Sequence, residues 1–199
     1  MPFDEEASSE VSKLKREIAD LKLENLTLKK EVNKNSKIPI VSDDDVARLV
    51  SMKEVIEVNK EAFKALITGK ASVPDRIVLP VPQYDGFTLF KPATFGNSLG
   101  VKCISIRPRN ADKGLPTVPA TILTIDESSG FVSSMIDGTW LTAMRTASGS
   151  AIATEIMAPK NAKVLTIFGA GMQADTHIYA ILCVRPNISQ INIVNRSLP

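Results

Sequence analysis

Residues 164–174 read VLTIFGAGMQA, an apolar run that ends in a Gly-x-Gly-x-x-Ala turn. The residues before the first glycine have the composition of a short buried strand, and the run that follows, DTHIYAILCV, is compatible with a helix. In such a unit Gly169 permits a tight turn, Gly171 lets a pyrophosphate approach the backbone, and the small Ala174 lets helix and strand pack closely. The stretch therefore predicts a dinucleotide site at a helix N-terminus. Its cofactor-binding residues would be Gly169, Gly171, Met172, Gln173 and Ala174.

A second strand, INIV, follows this helix and ends where a dinucleotide fold contacts the adenosine ribose. A carboxylate at that point would accept hydrogen bonds from both ribose hydroxyls of NAD, whereas this chain has Asn195, Arg196 and Ser197. Because a guanidinium suits a 2′-phosphate, these three residues favour NADP(H) over NAD(H). Spacing alone also allows a glycine turn followed by ordinary surface residues.

The composition of the 199-residue chain excludes several classes of protein. Its 24 basic and 22 acidic residues give a net charge of +2 and are spread along the chain, so no nucleic-acid footprint is visible. No apolar run approaches the roughly 18 residues of a membrane helix. Cys103 and Cys183 each lie in an apolar segment, as reduced core thiols do. We expect a cytoplasmic protein without a metal site that binds neither nucleic acid nor membrane.

Residues 11–35 repeat in sevens. Positions a and d are apolar except for one asparagine, while positions g and e carry glutamates and lysines. The a and d residues are Val11, Leu14, Ile18, Leu21, Asn25, Leu28 and Val32. The pattern predicts a parallel homodimeric coiled coil, between a disordered acidic segment at 1–10 and a linker at 36–41. An amphipathic helix packed on its own domain is the alternative.

Residues 42–159 have the pattern of an α+β domain. Capping motifs led by Ser42 and Ser51 predict two helix starts, and Gly69 predicts a helix C-terminus. Segments rich in β-branched residues, separated by Pro, Gly, Asn and Asp, predict strands with a hairpin at ESSG. The segment DGTWLTAMRTASGSAIATEIMAP then predicts one long helix that Pro159 ends.

Longer stretches carry a resemblance to a known family. These are VPDRIVLP, GVKCISIRPRNADKGLPTVPATILTID, GFVSSMIDGTWLTAMRTASGSAIATEIMAPKNAKV, FGAGMQADTH and IVNRS. Over about residues 42–199 the chain resembles the ornithine cyclodeaminase and mu-crystallin family, and GAGMQADTH with VNRS is closer to its mu-crystallin branch of NADPH-using ketimine reductases. The resemblance implies an α/β homodimer in which a substrate domain, 42–159, mediates pairing and a Rossmann domain begins at 160–199.

The resemblance also implies roles for individual residues. The substrate-binding residues would be Arg76, Lys102, Thr117 and Arg145, and Thr146 would touch the cofactor. The two arginines would hold a carboxylate, because a guanidinium grips it in two parallel bonds. Lys102 would be the catalytic residue beside the imine, since an iminium carbon accepts hydride better than a neutral imine. Without the resemblance, these cations would be interpreted as surface or strand-edge residues.

The expected function is that of an NAD(P)(H)-dependent oxidoreductase acting on an amino acid or its cyclic imine. Members of the family continue beyond the second Rossmann strand, so we expect this chain to be incomplete, with an open sheet edge and a bare apolar face. Whether it is an enzyme stays open at this point. The alternative is a non-catalytic dimeric protein that binds NADPH or another small ligand. His177, the single histidine, is expected to form hydrogen bonds on the helix surface and not to be catalytic.

Overall fold

The computed structural model describes residues 38–196, so the segment at 1–10, the predicted coiled coil at 11–35 and the predicted cofactor residue Ser197 lie outside it. From Ile40 onward the chain forms one compact unit. Its helices are α1 (Asp43–Leu49), α2 (Met52–Ile67), α3 (Thr139–Met157) and α4 (Met172–Val184). Its strands are β1 (Ile40–Val41), β2 (Ala71–Ser72), β3 (Ile77–Val81), β4 (Gly86–Phe95), β5 (Ser98–Ile106), β6 (Ala120–Ile125), β7 (Val132–Asp137), β8 (Val164–Phe168) and β9 (Gln190–Val194).

Helices α1 and α2 begin at the capping motifs that the sequence predicts. Ser42 and Asp45 form a reciprocal capping box at α1, and Ser51 and Glu54 form another at α2. Each serine hydroxyl accepts a hydrogen bond from the N–H group three residues on, which has no partner inside the helix. At the other end of α2, Gly69 adopts a left-handed conformation with φ of 70°, as a helix-ending glycine does. Both helix starts and the glycine terminus are confirmed.

A seven-stranded mixed sheet forms the N-terminal part of the unit. The strand order is β1-β7-β6-β5-β4-β2, and β3 pairs with the first half of β4. The predicted ESSG hairpin is confirmed, since β6 and β7 pair antiparallel on either side of it. The structure corrects one expectation. Ile40 and Val41, assigned above to the linker at 36–41, form β1 and pair parallel with Met135 and Ile136, because β-branched residues fit the edge of a sheet.

Helix α3 lies at the centre of the apolar core. Its alanines Ala143, Ala147 and Ala151 are almost completely buried and let neighbouring helices pack closely. The core cluster consists of Met52, Val55, Ile56, Met144, Ala147, Ala151, Ile152 and Ala180. The prediction of one long helix that ends before Pro159 is confirmed. No helix within residues 38–196 is both long and apolar enough to cross a membrane.

Strands β8 and β9 are parallel and are joined through α4, so the strand, turn, helix and second strand predicted from the sequence are present. Helix α4 packs on α3, and the C-terminal strands belong to the same compact unit as the seven-stranded sheet. Apolar side chains on these strands are exposed, Phe168 by 81% and Ile193 by 53%. The fold is of the α/β class. The division into a substrate domain at 42–159 and a Rossmann domain at 160–199 stays a prediction.

Arg185 fixes the end of α4 against the end of α3. Its side chain is buried, and its guanidinium donates hydrogen bonds of 2.7 to 3.1 Å to backbone carbonyl oxygens. The acceptors are Thr154, Glu155, Ala158 and Pro159. The last carbonyls of a helix have no partner within it, so a cation at this point satisfies them and complements the helix dipole. Arg185 thereby holds the C-terminal end of α4 against the C-terminal end of α3.

Candidate active site

A cavity of about 570 Å³ lies between α2 and the face of the sheet formed by β4, β5 and β6. Helix α2 contributes Asn59 and Phe63, the β4–β5 hairpin contributes Lys91 and Lys102, and α3 contributes Arg145. We call this space the lysine cavity. A smaller cavity of about 260 Å³ shares three of these side chains, Asn59, Lys102 and Arg145. Three polar groups from three elements therefore meet where the two cavities adjoin.

Lys102 is half-buried on β5, and its Nζ lies 3.5 Å from the Oγ1 of Thr142, at the long limit of a hydrogen bond. Thr142 and Arg145 are three residues apart on α3 and so project from the same side of that helix. Burial, followed by the charges of Arg145 and Lys91, lowers the pKa of Lys102 from 10.5 to about 8. An ammonium with this pKa is protonated at neutral pH but releases its proton more readily than an ordinary lysine. Lys102 is therefore suited to donate a proton in the cavity.

Asn59 holds the part of α3 that carries Arg145. Its side-chain amide donates a hydrogen bond of 2.9 Å to the backbone carbonyl of Arg145 and also donates to the hydroxyl of Ser148. These contacts join α2 to α3 beside the cavity. Of residues 38–196, no carboxylate forms an ion pair with Arg145. Its guanidinium is therefore available to bind an anion.

Lys91 is a cavity residue that the sequence analysis did not select. The β4–β5 hairpin has a two-residue turn, Gly96-Asn97, which pairs Phe95 with Ser98 and hence Lys91 with Lys102. Directly paired residues of antiparallel strands present their side chains on the same face, so both ammonium groups face the cavity. The sequence contains the information needed to place Lys91 opposite Lys102. Gly-Asn between apolar segments is typical of a two-residue hairpin, and counting outward from it aligns the two lysines.

Two further predicted substrate residues differ in their placement. Arg76 lies in the exposed segment before β3, and burial together with the charges of Arg145 and Arg76 lowers the pKa of Lys91. Arg76 is thus close enough to the cavity to act on it electrostatically. Thr117 lies before β6, where its carbonyl accepts a hydrogen bond of 2.8 Å from the N–H of Arg107. It lines neither of the two adjoining cavities.

The glycine turn after β8 opens another cavity, of about 400 Å³, which we call the glycine cavity. Gly169 has a φ of 103°, which residues with a side chain rarely adopt, and its N–H donates to the carbonyl of Val194 at 2.7 Å. Gly171 is the N-cap of α4 and provides no side-chain cap. A Cβ built on either glycine would meet no atom within 4 Å. The turn therefore leaves open space and backbone N–H groups at a helix N-terminus, as a bound pyrophosphate requires.

The other predicted cofactor residues surround this turn. Gln173 and the buried Ala174 line the glycine cavity, and Met172 begins α4. Because Phe168 pairs with Val194, the residues that follow the two strands, including Asn195 and Arg196, leave the sheet at the same edge. His177 also lines the cavity. Its Nδ1 forms a hydrogen bond of 2.6 Å with the carbonyl of Gln173, so the expected hydrogen bonding on the helix surface is confirmed.

Helix α3 borders both sites. Arg145 lines the lysine cavity and Ser150 lines the glycine cavity. That separation along an α-helix corresponds to about 7.5 Å. Thr146, predicted to touch the cofactor, lies one turn before Ser150 on the same face, and its hydroxyl donates to the carbonyl of Thr142 at 2.6 Å. Helix α3 therefore borders both cavities, with Arg145 and Ser150 roughly 140° apart around its axis.

Comparisons with known proteins identify the family of this chain. The model of the ornithine cyclodeaminase/mu-crystallin family matches residues 37–198. An uncharacterized cyclodeaminase of Dictyostelium discoideum is 37% identical over 174 residues, which cover 79% of this chain and 47% of the relative.

Two solved structures are similar to this chain. One is the Δ1-pyrroline-2-carboxylate reductase of Thermococcus litoralis in complex with NADH and L-proline, which is 41% identical to this chain with a TM-score of 0.77. The match covers 79% of this chain and 49% of the reductase chain. The other is an archaeal alanine dehydrogenase dimer with bound NAD, which is 31% identical with a TM-score of 0.74. The match covers 78% of this chain and 48% of the dehydrogenase chain. The chain spans about half the length of the relatives it matches. Because the matched residues include both the lysine cavity and the glycine turn, this chain belongs to the ornithine cyclodeaminase/mu-crystallin family.

Proposed function

We propose that the protein exchanges a hydride between a nicotinamide cofactor and the carbon of a C=N bond in an imino acid, or catalyses the reverse oxidation of an amino acid. The observation that carries this proposal is the position of α3, which borders a cation-lined cavity on one side and the glycine cavity on the other. The relatives support the same class of reaction. One was solved with NADH and L-proline, and another is an alanine dehydrogenase with bound NAD.

In this proposal the substrate is held and protonated by the cations of the lysine cavity. Arg145 binds the substrate carboxylate, with Arg76 as a second guanidinium near it, and so orients the imine carbon. Lys102 donates a proton to the imine nitrogen and itself becomes a neutral amine. Its pKa of about 8 supports this role, because catalysis by a general acid is most efficient when its pKa lies near the working pH.

The glycine cavity fits the cofactor. The N–H groups after Gly171 would hold the pyrophosphate, and Asn195 and Arg196 would hold the adenosine 2′-phosphate, which makes NADP(H) the proposed cofactor. When bound, the nicotinamide supplies or accepts the hydride. Thr146, on the face of α3 that also carries Ser150, would contact the cofactor.

We also propose that the protein is a homodimer, assembled through the heptads at 11–35 and through the substrate domain. The heptad pattern supports the first contact. The alanine dehydrogenase relative was solved as a dimer. Sedimentation velocity tests the assembly. Leu21→Glu should weaken pairing if the heptads contribute to it, and an unchanged sedimentation coefficient over a dilution series would contradict that contribution.

A binding titration tests the cofactor. Trp140 is the chain's single tryptophan, so its fluorescence can report nucleotide binding to the 199-residue protein. Arg196→Ala should weaken NADPH binding by about 10- to 100-fold, the effect of losing charge-assisted hydrogen bonds, and should change NADH binding far less. Arg109→Ala, which removes an exposed arginine paired with Asp85, is the matched control. Equal loss for both nucleotides would contradict the 2′-phosphate assignment.

A turnover assay tests the reaction. Oxidation of NADPH in the presence of Δ1-pyrroline-2-carboxylate should be measurable from the nicotinamide absorbance, and Lys102→Met should lower kcat by about 10²-fold or more, the usual contribution of a general acid. A Lys102→Met variant with unchanged kcat would remove the proton-donor role. Saturable NADPH binding without turnover of this imine or of imino acids with longer or charged side chains would favour the alternative, a non-catalytic binding protein.

A further inference from the structure

The lysine cavity contains more positive charge than one carboxylate requires. Lys91, Lys102 and Arg145 line it, and Arg76 is close enough to influence Lys91. No Asp or Glu is among the described residues that line this cavity. Within residues 38–196, none of the four cations forms an ion pair with a carboxylate. A substrate with a single carboxylate would leave much of this charge uncompensated.

Nearby carboxylates are bonded elsewhere. Glu54, which lines the smaller adjoining cavity, accepts hydrogen bonds from the N–H and the hydroxyl of Ser51 at 2.8 and 2.6 Å. Glu127 accepts a hydrogen bond of 2.9 Å from the hydroxyl of Thr94. Both acidic groups therefore have roles in local structure. Neither forms an ion pair with the lysines.

The lysine pair is unfavourable in the absence of an anion. Lys91 and Lys102 are directly opposite each other on neighbouring strands, and both are half-buried. Like charges at such positions repel, and removal from water makes each ammonium less stable. The physical consequence is a lowered pKa for both lysines, with burial as the main cause. A bound dianion would relieve the repulsion and replace the lost hydration.

We infer that Lys91 binds a second carboxylate of the substrate, so that the preferred substrate is a dicarboxylic imino or amino acid. This inference rests on the proposed function and deepens it. Arg145 and Lys102 act on the α-carboxylate and the imine, whereas Lys91 selects the group at the other end of the molecule. Lys91 and Lys102 are directly paired on neighbouring strands, so the group that Lys91 binds belongs to the same small molecule as the imine beside Lys102. Lys91 is then the residue that determines specificity.

Calorimetric titration with three 2-oxo acids tests the inference on the 199-residue protein. The probes are 2-oxoglutarate and oxaloacetate, which have two carboxylates, and 2-oxobutyrate, which has one. The dicarboxylates should bind about tenfold or more tightly than 2-oxobutyrate, as expected for one additional charge-assisted contact. In Lys91→Met the ratio of the 2-oxobutyrate Kd to the dicarboxylate Kd should fall to near one. Lys91→Arg should retain it, and Lys113→Met, which removes an exposed lysine, should leave it unchanged.

Each outcome decides the inference. No preference for dicarboxylates in the wild type, no binding of any of the three acids, or an equal loss for all three in Lys91→Met would overturn it. Failure of the proposed reaction is visible separately. A preference that depends on Lys91, in a protein that does not oxidise NADPH, supports the second carboxylate site and contradicts only the reaction. Imine reduction without a preference for dicarboxylates supports the proposed reaction and contradicts the second carboxylate site.

Discussion

Replacing Lys102 with methionine tests whether the cation in the lysine cavity destabilises the fold. Burial is the main reason that the pKa of Lys102 falls from 10.5 to about 8. Such a fall corresponds to roughly 3 kcal/mol of destabilisation of the charged form. Because the side chain is partly solvated, screening reduces the expected effect to about 1–2 kcal/mol. Methionine has a similar length and no charge, so Lys102→Met should raise the free energy of unfolding by about 1–2 kcal/mol at pH 7.

The pH dependence of this effect has a definite sign. The pKa of Lys102 is lower in the folded state than in the unfolded state, so the unfolded chain binds more protons between about pH 8 and 10.5. The destabilisation is therefore present in full below that interval and disappears as the pH rises through it. Urea unfolding at pH 7 and pH 10 measures the difference between wild type and Lys102→Met. That difference should shrink toward zero at pH 10, while Lys113→Met should show no difference at either pH.

The result that refutes this reasoning is simple to recognise. A Lys102→Met variant that is less stable than the wild type at pH 7 would show that the ammonium is well solvated or favourably paired in the folded state. A stabilisation of the same size at both pH values would show that it arises from packing of the methionine, and not from removal of the charge.

Three further sets of substitutions test the fold and the glycine turn. Arg185→Met removes the donor to four carbonyls at the end of α3 and should lower the free energy of unfolding by about 2–4 kcal/mol in urea, with Arg185→Lys recovering only part of it. Gly169→Ala places a side chain at a φ of 103° and should destabilise the protein by about 1–2 kcal/mol. Gly171 has a φ of −89°, so Gly171→Ala should change the free energy of unfolding by less than about 0.5 kcal/mol. It should nevertheless weaken NADPH binding, because the added methyl group enters the glycine cavity. Equal thermal stability of the two glycine variants would contradict this distinction. Ser51→Ala removes the capping box of α2 and should cost about 1 kcal/mol in thermal unfolding, whereas an unchanged Tm would show that the cap contributes nothing.

Features determined by neighbouring residues could be predicted from the sequence. The capping boxes at Ser42 and Ser51 depend on residues three positions apart, and the ESSG hairpin depends on one short turn. The strand and the helix around Gly169 were predicted for the same reason. In each case the decisive hydrogen bonds or backbone angles belong to one short segment. Local sequence is then sufficient to predict the structure.

Contacts between distant parts of the chain could not be predicted in this way. The N–H of Trp140, at the start of α3, donates to the carboxylate of Asp43 at 2.9 Å, and no local pattern connects the two residues. Burial raises the pKa of Asp43, although the hydrogen bond from Trp140 acts in the opposite direction. Arg185 appears in the sequence as an ordinary cation before a proline, and its burial depends on the way α4 meets α3. Such residues become visible only when the packing is known.

The candidate site could be predicted from the sequence only in part. Lys102 and Arg145 were selected because of a family resemblance, since an isolated lysine on a strand and an isolated arginine on a helix carry no signal of their own. The structure adds Lys91, which follows from the register of a hairpin, and Asn59, which follows from the packing of α2 on α3. Thr117 was implied by the same resemblance but lines neither adjoining cavity.

The turn at Gly96-Asn97 determines the charge of the lysine cavity as directly as the lysines do. Because side chains alternate between the two faces of a strand, a slip of one position in the pairing of β4 with β5 would send Lys91 and Lys102 to opposite faces of the sheet. One of the two ammonium groups would then leave the cavity without any change at either lysine. An insertion or deletion in this turn that shifted the pairing by one residue would therefore change the charge that a ligand in the lysine cavity meets.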